Sequence, residues 1–346
     1  MMFLITGGCG FLGFSVTQRL VAQKRGRVTV FDNLSRIGTR ENLTVLEKND
    51  LIDFVPGDVR DRDLVETVIE RIRPDVIYHL AGQVAMTTSL GQPRFDFEVN
   101  VLGTINVLEA VRRQSPHSII VYSSSNKVYG DLDYLRYTEL ETRYRLDDFP
   151  KGLNESTRLD FTTPYGCSKG AADRYVSDYA RMFDIRTVVL RHSSIYGVNQ
   201  RSTVDQGWVG WFLSEMLSAQ NEEEGKTIAV AGDGKQVRDL LFCTDAAELY
   251  SRIPDYIDSA SGMAFNVGGG VRNAMSILEL VRFAENKLGT QVKLQHNPRR
   301  RSDQKVFISD NSLASKVFEW QPTVSFEAGI LQTVEWLKDG SARSHN

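Results

Sequence analysis

An α/β fold built on a doubly wound parallel sheet, followed by a smaller C-terminal lobe, is predicted by three observations. Short apolar runs alternate with helical patterns through the first half of the chain. A glycine-rich turn joins the first run to the first helix, and the alternation is lost after about residue 197. The 346 residues suffice for a sheet domain over 1–197 and a substrate-binding lobe over 198–346, with segments near 240–270 as candidates to return to the main sheet.

Strands are expected at 2–6, 27–31, 52–56, 76–80, 119–123 and 186–191, with helices between them at 11–23, 61–72, 98–113 and 164–183. Asp61, Arg62 and Asp63 ahead of Leu64, Val65, Val68 and Ile69 make a helix start, because acids suit the positive end of the helix dipole. The polar, aromatic and acidic stretch 131–163 breaks the rhythm and reads as a long functional loop. Beyond it, 201–210 reads as loop, 211–218 as helix, 227–230 as strand, and 276–287 and 327–337 as helices; 244–250 and 265–267 are the candidates to rejoin the sheet.

The chain is 41% hydrophobic and 25% charged with a net charge of −3, so no basic field points to nucleic acid or to an anionic membrane. Cys9, Cys167 and Cys243 stand singly, which predicts reduced thiols in a cytoplasmic protein. No basic flank or cleavage region precedes the first glycines, so no secretory signal is expected, and no apolar run has spanning length. The five histidines are not clustered with Cys or Asp at ligand spacing, so no metal site is expected.

Gly7, Gly10 and Gly13 space a G-x-x-G-x-x-G turn between strand and helix, with Phe11 and Leu12 at the helix start. Small residues there let backbone approach a pyrophosphate, and the helix N-terminus favours its charge. Asp32 ends the second strand, where a carboxylate can bind the adenosine ribose diol and would repel a 2′-phosphate. The reading is an NAD site, extended by Asn33, by Asp58 and Val59 near the adenine, and by Leu80, Ala81 and Gly82 where the pyrophosphate or ribose would pass.

Tyr165 and Lys169, four apart, project from one helix face. An ammonium at that spacing is expected to lower the phenol pKa, so that the phenolate can take a proton from an alcohol. A hydroxyl that loses its proton beside a hydride acceptor can be oxidised.

These residues, with His79-Leu80-Ala81-Gly82, Asn100-Val101-Leu102-Gly103-Thr104 and Tyr122-Ser123-Ser124-Ser125, resemble the extended short-chain dehydrogenase/reductases of the nucleotide-sugar epimerase and dehydratase group, over essentially the whole chain. Longer blocks resemble, within that group, the branch that epimerises CDP-paratose at C2: Gln83 to Ser89, Ser125 to Asp131, Tyr165 to Asp173, Asp205 to Phe212, Gly234 to Asp239 and Ser302-Asp303-Gln304. The resemblance implies a Rossmann-type fold and a tightly held NAD regenerated in each turnover. It makes Tyr165 the acid/base, Lys169 its partner and holder of the nicotinamide ribose, and Ser125 the hydroxyl on the substrate oxygen.

By the same resemblance His192 stands beside the nicotinamide, and the substrate is a nucleotide sugar, a CDP-hexose such as CDP-paratose or CDP-glucose, with another nucleotide hexose as the alternative. Gln83, Met86, Thr87, Asn126, Lys127, Gln206, Trp208, Arg238 and Arg300 are the residues expected to meet it. Arg299 and Arg301 leave the choice of arginine at the diphosphate open. Dehydratases of the group carry an Asp-Glu pair after the serine, needed to expel water. Asn126 and Lys127 stand there instead, which disfavours dehydration and favours hydride out and hydride back, an epimerisation at C2, with a 4-epimerase or a net dehydrogenase or reductase as alternatives. The resemblance also implies a homodimer or homotetramer, with 98–113 and 164–183 as the dimer helices.

Overall fold

Hydrophobic periodicity places each element. The computed structural model describes residues 1–220 and 226–339. In chain order β1 (Met2–Thr6), α1 (Phe11–Ala22), β2 (Arg27–Asp32), α2 (Thr39–Leu46), β3 (Ile52–Pro56), α3 (Arg62–Ile72) and β4 (Val76–His79) come first. Two short helices, α4 (Met86–Gly91) and α5 (Pro93–Phe97), and a π turn (Glu98–Leu102) lead into α6 (Gly103–Gln114) and β5 (Ile119–Ser125). A hairpin, β6 (Tyr137–Glu139) and β7 (Tyr144–Leu146), precedes α7 (Thr163–Phe183), β8 (Thr187–His192) and β9 (Ser194–Tyr196). The remainder holds α8 (Trp208–Ala219), β10 (Thr227–Ala231), β11 (Val237–Phe242), α9 (Cys243–Arg252), α10 (Ile257–Ala260), β12 (Met263–Val267), β13 (Ala274–Ser276), α11 (Ile277–Leu288), β14 (Lys293–Asn297), β15 (Val306–Phe307), α12 (Ser312–Phe318) and α13 (Phe326–Lys338).

Seven strands form one parallel sheet in the order β12-β8-β5-β4-β1-β2-β3. Both faces are covered, so the central strands β1 and β4 are buried along nearly their whole length, whereas the edge strand β3 is only partly buried. On one face Phe3, Ile5, Val28, Val30 and Tyr78 pack with residues of α1, α9 and α12; on the other Leu4, Ile77, Ile120 and Val189 pack with α3, α6 and α7. The chain order reverses between β1 and β4, and the carboxyl ends of these two strands open a crevice there.

The second lobe is built on β11, which pairs with β13, β15 and β9, and on the β10–β14 pair, covered by α8, α11 and α13. Three sequence expectations change in this structure. The 131–163 stretch, read as a long loop, contains the β6–β7 hairpin, whose Leu146 packs with Val237, Val306 and Phe307. Segment 244–250 rejoins the main body as helix α9 against α1, whereas 265–267 rejoins it as strand β12. The helix read over 98–113 begins as the π turn, which carries Asn100.

Asp61 caps α3 by accepting from the Leu64 N–H at 3.0 Å, and Ser276 and Glu279 form a reciprocal capping box on α11. Among the described residues no helix is long and apolar enough to cross a membrane.

Candidate active site

The crevice is a cleft of about 560 Å³, within the range of small-molecule sites, walled by both lobes. At its floor Gly7 adopts φ +70°, and a Cβ there would lie 2.7 Å from the Ala81 N. A Cβ on Gly13 would stand 2.2 Å from the Gly7 carbonyl, so the turn closes only with glycine at both positions. Helix α1 starts at Gly10 with no side-chain cap and no acid in its first turn, which leaves its N–H groups and dipole for an anion.

Asp32 is buried at the cleft wall and accepts from the Cys9 N–H at 3.0 Å and the Leu34 N–H at 2.8 Å. Burial pushes its carboxyl pKa up, opposed by these backbone donors and that of Gly10. Asn33 donates to Asp58, which also holds Arg60 and is kept at about 2 chiefly by that arginine. With Val59, Leu80, Ala81 and Gly82 on the same wall, the uncapped helix end, glycine turn and acid at the second strand fit a dinucleotide.

Further along, α7 delivers Tyr165 to the cleft that Ser125 lines from the end of β5. The phenol departs from its expected titration: burial pushes it up to about 12, the nearby Ser125 hydroxyl works against this, and the charge of Asp96 adds to it. Lys169 does not border the cleft. It lies behind Gly82, where a Cβ would be 3.1 Å from Nζ, and donates to the Ser123 carbonyl at 2.9 Å. Burial brings its ammonium down to about 8.

His192 lines the cleft with its Nε2 2.8 Å from the Tyr250 hydroxyl. Its buried Nδ1 has no partner, and burial brings the imidazole pKa to about 3, so it is neutral at ordinary pH.

Asn126 and Lys127 continue from Ser125, whose Oγ accepts from the Lys127 N–H at 3.2 Å. The Asn126 amide donates to Gln304 at 3.2 Å, and Lys127 Nζ donates to Asp303 Oδ1 at 3.2 Å. Arg238 Nη2 reaches that same oxygen at 2.7 Å. The two cations hold the Asp303 carboxyl at about 2 despite its burial. Arg300 lines the cleft and donates to the Val204 carbonyl at 3.3 Å, whereas Arg299 is turned to Asp133 and the Asp303 carbonyl.

Gln206, at the mouth of the 199–207 segment, and Trp208, whose indole donates to Ser194 at 3.2 Å, complete the far wall with Met86. Gln83 is on the wall, but its side-chain amide is engaged by the Ala85 backbone. Thr87 departs from expectation: it does not line the cleft, and its Oγ1 is buried without a partner.

The structure thus gathers every other expected residue around one cleft, with Lys169 directly behind it. It adds Asp303 as the carboxylate joining Lys127 to Arg238. The Ser302-Asp303-Gln304 block marks this residue in the sequence, but not its ion pairs. Arg36 and Arg201 also reach the wall, and nothing in the local sequence marks them.

The family model described as GDP-mannose 4,6 dehydratase matches residues 4–333. A CDP-paratose 2-epimerase of Salmonella typhi is 47% identical over 336 residues, 97% of this chain and 99% of that protein. The crystal structure of UDP-glucose 4-epimerase from Thermotoga maritima, with UDP-glucose, superposes with a TM-score of 0.82 at 26% identity, covering 98% and 99% of the two chains. That of the Thermus thermophilus UDP-glucose 4-epimerase, a complex with NAD, gives 0.80 at 27% identity over the same shares. With its parallel sheet, glycine turn and Ser125–Tyr165–Lys169 set, the chain belongs to the GDP-mannose 4,6-dehydratase family of extended short-chain dehydrogenases/reductases.

Proposed function

We propose that this chain is an NAD-retaining epimerase that inverts C2 of a CDP-hexose, converting CDP-paratose to CDP-tyvelose. The choice of reaction is carried by the pair of residues after Ser125. Asn126 and Lys127 occupy these two positions, bonded to Gln304 and Asp303, so no acid–base pair stands ready to expel a hydroxyl. The 47% identity to a CDP-paratose 2-epimerase supports the substrate.

Gly7, Gly10, Gly13 and Asp32 would hold NAD, which when bound would supply a hydride acceptor for C2 and a donor for the return of hydride to the opposite face. Tyr165 takes the proton of the C2 hydroxyl and gives it back to the same oxygen. Ser125, on the same cleft wall, donates to that oxygen and keeps it in line with Tyr165. Lys169 places a buried positive charge one helical turn from Tyr165, which favours the phenolate electrostatically. Arg238 and Arg300 hold the diphosphate, for which the planar guanidinium is suited. Gln206, Trp208 and Met86 cover the sugar.

Assembly as a homodimer through α6 and α7 belongs to the same reading, supported by the exposed Leu102, Tyr175, Met182 and Phe183 on and beside those helices. A cytoplasmic location is supported by the three free cysteines.

The test is to incubate the purified protein, without added cofactor, with CDP-paratose and with CDP-glucose in D₂O, following H2 and H4 by NMR. Inversion at C2 of CDP-paratose without deuterium uptake is expected. Inversion at C4, net oxidation, or no reaction overturns the assignment.

A further inference from the structure

Asp96 takes no step in the chemistry derived above beyond its charge on the Tyr165 phenol, yet its side chain is fully buried on α5, one turn before Asn100. Its carboxylate accepts from the Ser168 hydroxyl and from the Asn100 amide at 3.4 Å. Both partners donate, which is the arrangement a carboxylate requires. Ser168 adjoins Lys169, and its Oγ also accepts from Asn100 at 3.0 Å. Asn100 in turn pairs with the backbone of Gln83 through both ends of its amide, at 3.0 Å each.

The position of Lys169 closes this set. A Cβ on Gly82 would lie 3.0 Å from Asn100 Oδ1 and 3.1 Å from Lys169 Nζ, so the amide and the ammonium flank one glycine. Two buried groups of opposite charge therefore sit in one cluster, and among the described residues neither is in a direct ion pair. A buried charge without compensation is costly, and each lacks another source of it.

We infer that Asp96 is a positioning residue for the proposed reaction: fixed in place by Ser168 and Asn100, it is the counter-charge that keeps Lys169 protonated behind the cleft. The other groups facing that ammonium do not fill this role. Tyr122 of β5 presents its ring 5.0 Å from Nζ, and burial keeps its phenol neutral. His79 of β4 and His192 of β8 are both brought down to about 3 and are neutral. Tyr165 and Cys167 on α7 are pushed up by burial. Asp173 is taken by Arg191, at 2.9 and 3.0 Å. Asp96 is the acid whose charge opposes the effect of burial on Lys169.

The inference rests on the proposed function only for its kinetic consequence. The test is to titrate Lys169 by NMR of ¹³Cε-lysine protein, assigned with Lys169→Met, in the wild type and in Asp96→Asn. Removing a nearby opposite charge should lower the Lys169 midpoint by about one pH unit. The alkaline limb of the epimerisation profile should move toward lower pH with it. Asp96→Ser, which keeps a hydroxyl for Ser168, serves as the second charge-free variant if the amide variant does not fold. An unmoved Lys169 midpoint in a folded variant overturns the inference, whether or not the protein epimerises. A midpoint that falls in a protein inert toward every nucleotide sugar sustains the pairing and overturns the proposed function instead.

Discussion

Lys127 and Asp303 meet at 3.2 Å across 176 residues of sequence, on the carboxylate oxygen that Arg238 also holds. The contact joins the turn after Ser125 to the wall expected to carry the nucleotide. One carboxylate between two cations leaves a net positive charge facing the cleft.

Lys127→Gln should therefore raise KM for the nucleotide sugar about tenfold, equivalent to about 1.4 kcal/mol, with a smaller effect on kcat. Steady-state kinetics read the split. An unchanged KM would show that this charge does not contribute to substrate binding.

Tyr165→Phe removes the phenolic hydroxyl while leaving the ring buried. Turnover should fall on the order of 10²–10⁴-fold, the usual contribution of a positioned acid–base group. Bound NAD, measured after denaturation, should stay near the wild-type content. Undiminished turnover would remove Tyr165 from the mechanism.

Asp32→Ala deletes a carboxylate that accepts two backbone N–H bonds and faces the cleft. Cofactor content after purification should drop by roughly tenfold or more, since a hydrogen bond to a charged group contributes about 1.5–3 kcal/mol. Retention of a full complement of NAD would refute a role for this acid at the ribose.

The pH profile of kcat/KM should fall as pH rises through about 8, where Lys169 loses its proton in the free protein. The sign comes from burial: the lysine is depressed below its ordinary value, so the cation is lost earlier than on a surface. Lys169→Met should abolish this limb along with most of the activity.

Arg191→Met breaks a buried ion pair whose carboxylate, Asp173, is fully enclosed and also bonded to Ser124. The stranded charge should cost about 3–5 kcal/mol of stability, seen as a lower denaturation midpoint. A loss within about 0.5 kcal/mol, as for an ordinary surface substitution, would mean that Asp173 finds another partner.

The strands and helices of the sheet, the glycine turn and the i, i+4 relation of Tyr165 to Lys169 are all legible in the linear chain. Each of these is local: hydrophobic period, the conformational freedom of Gly7 and the pitch of one helix need no distant partner. Packing is what makes β12 join the sheet while 244–250 docks on it as a helix, because a short apolar run suits either element until its neighbours are present. Long-range contacts also fold the 131–163 stretch as a hairpin onto the second lobe, keep Thr87 out of the cleft, and turn Arg300 rather than Arg299 toward it. The protonation of the site belongs to the same class. The spacing of Tyr165 and Lys169 foretells a lowered phenol, whereas burial raises it to about 12 and lowers the lysine to about 8. Desolvation and the charge of Asp96 come from residues distant in sequence, and only the packed chain brings them to bear on these two groups.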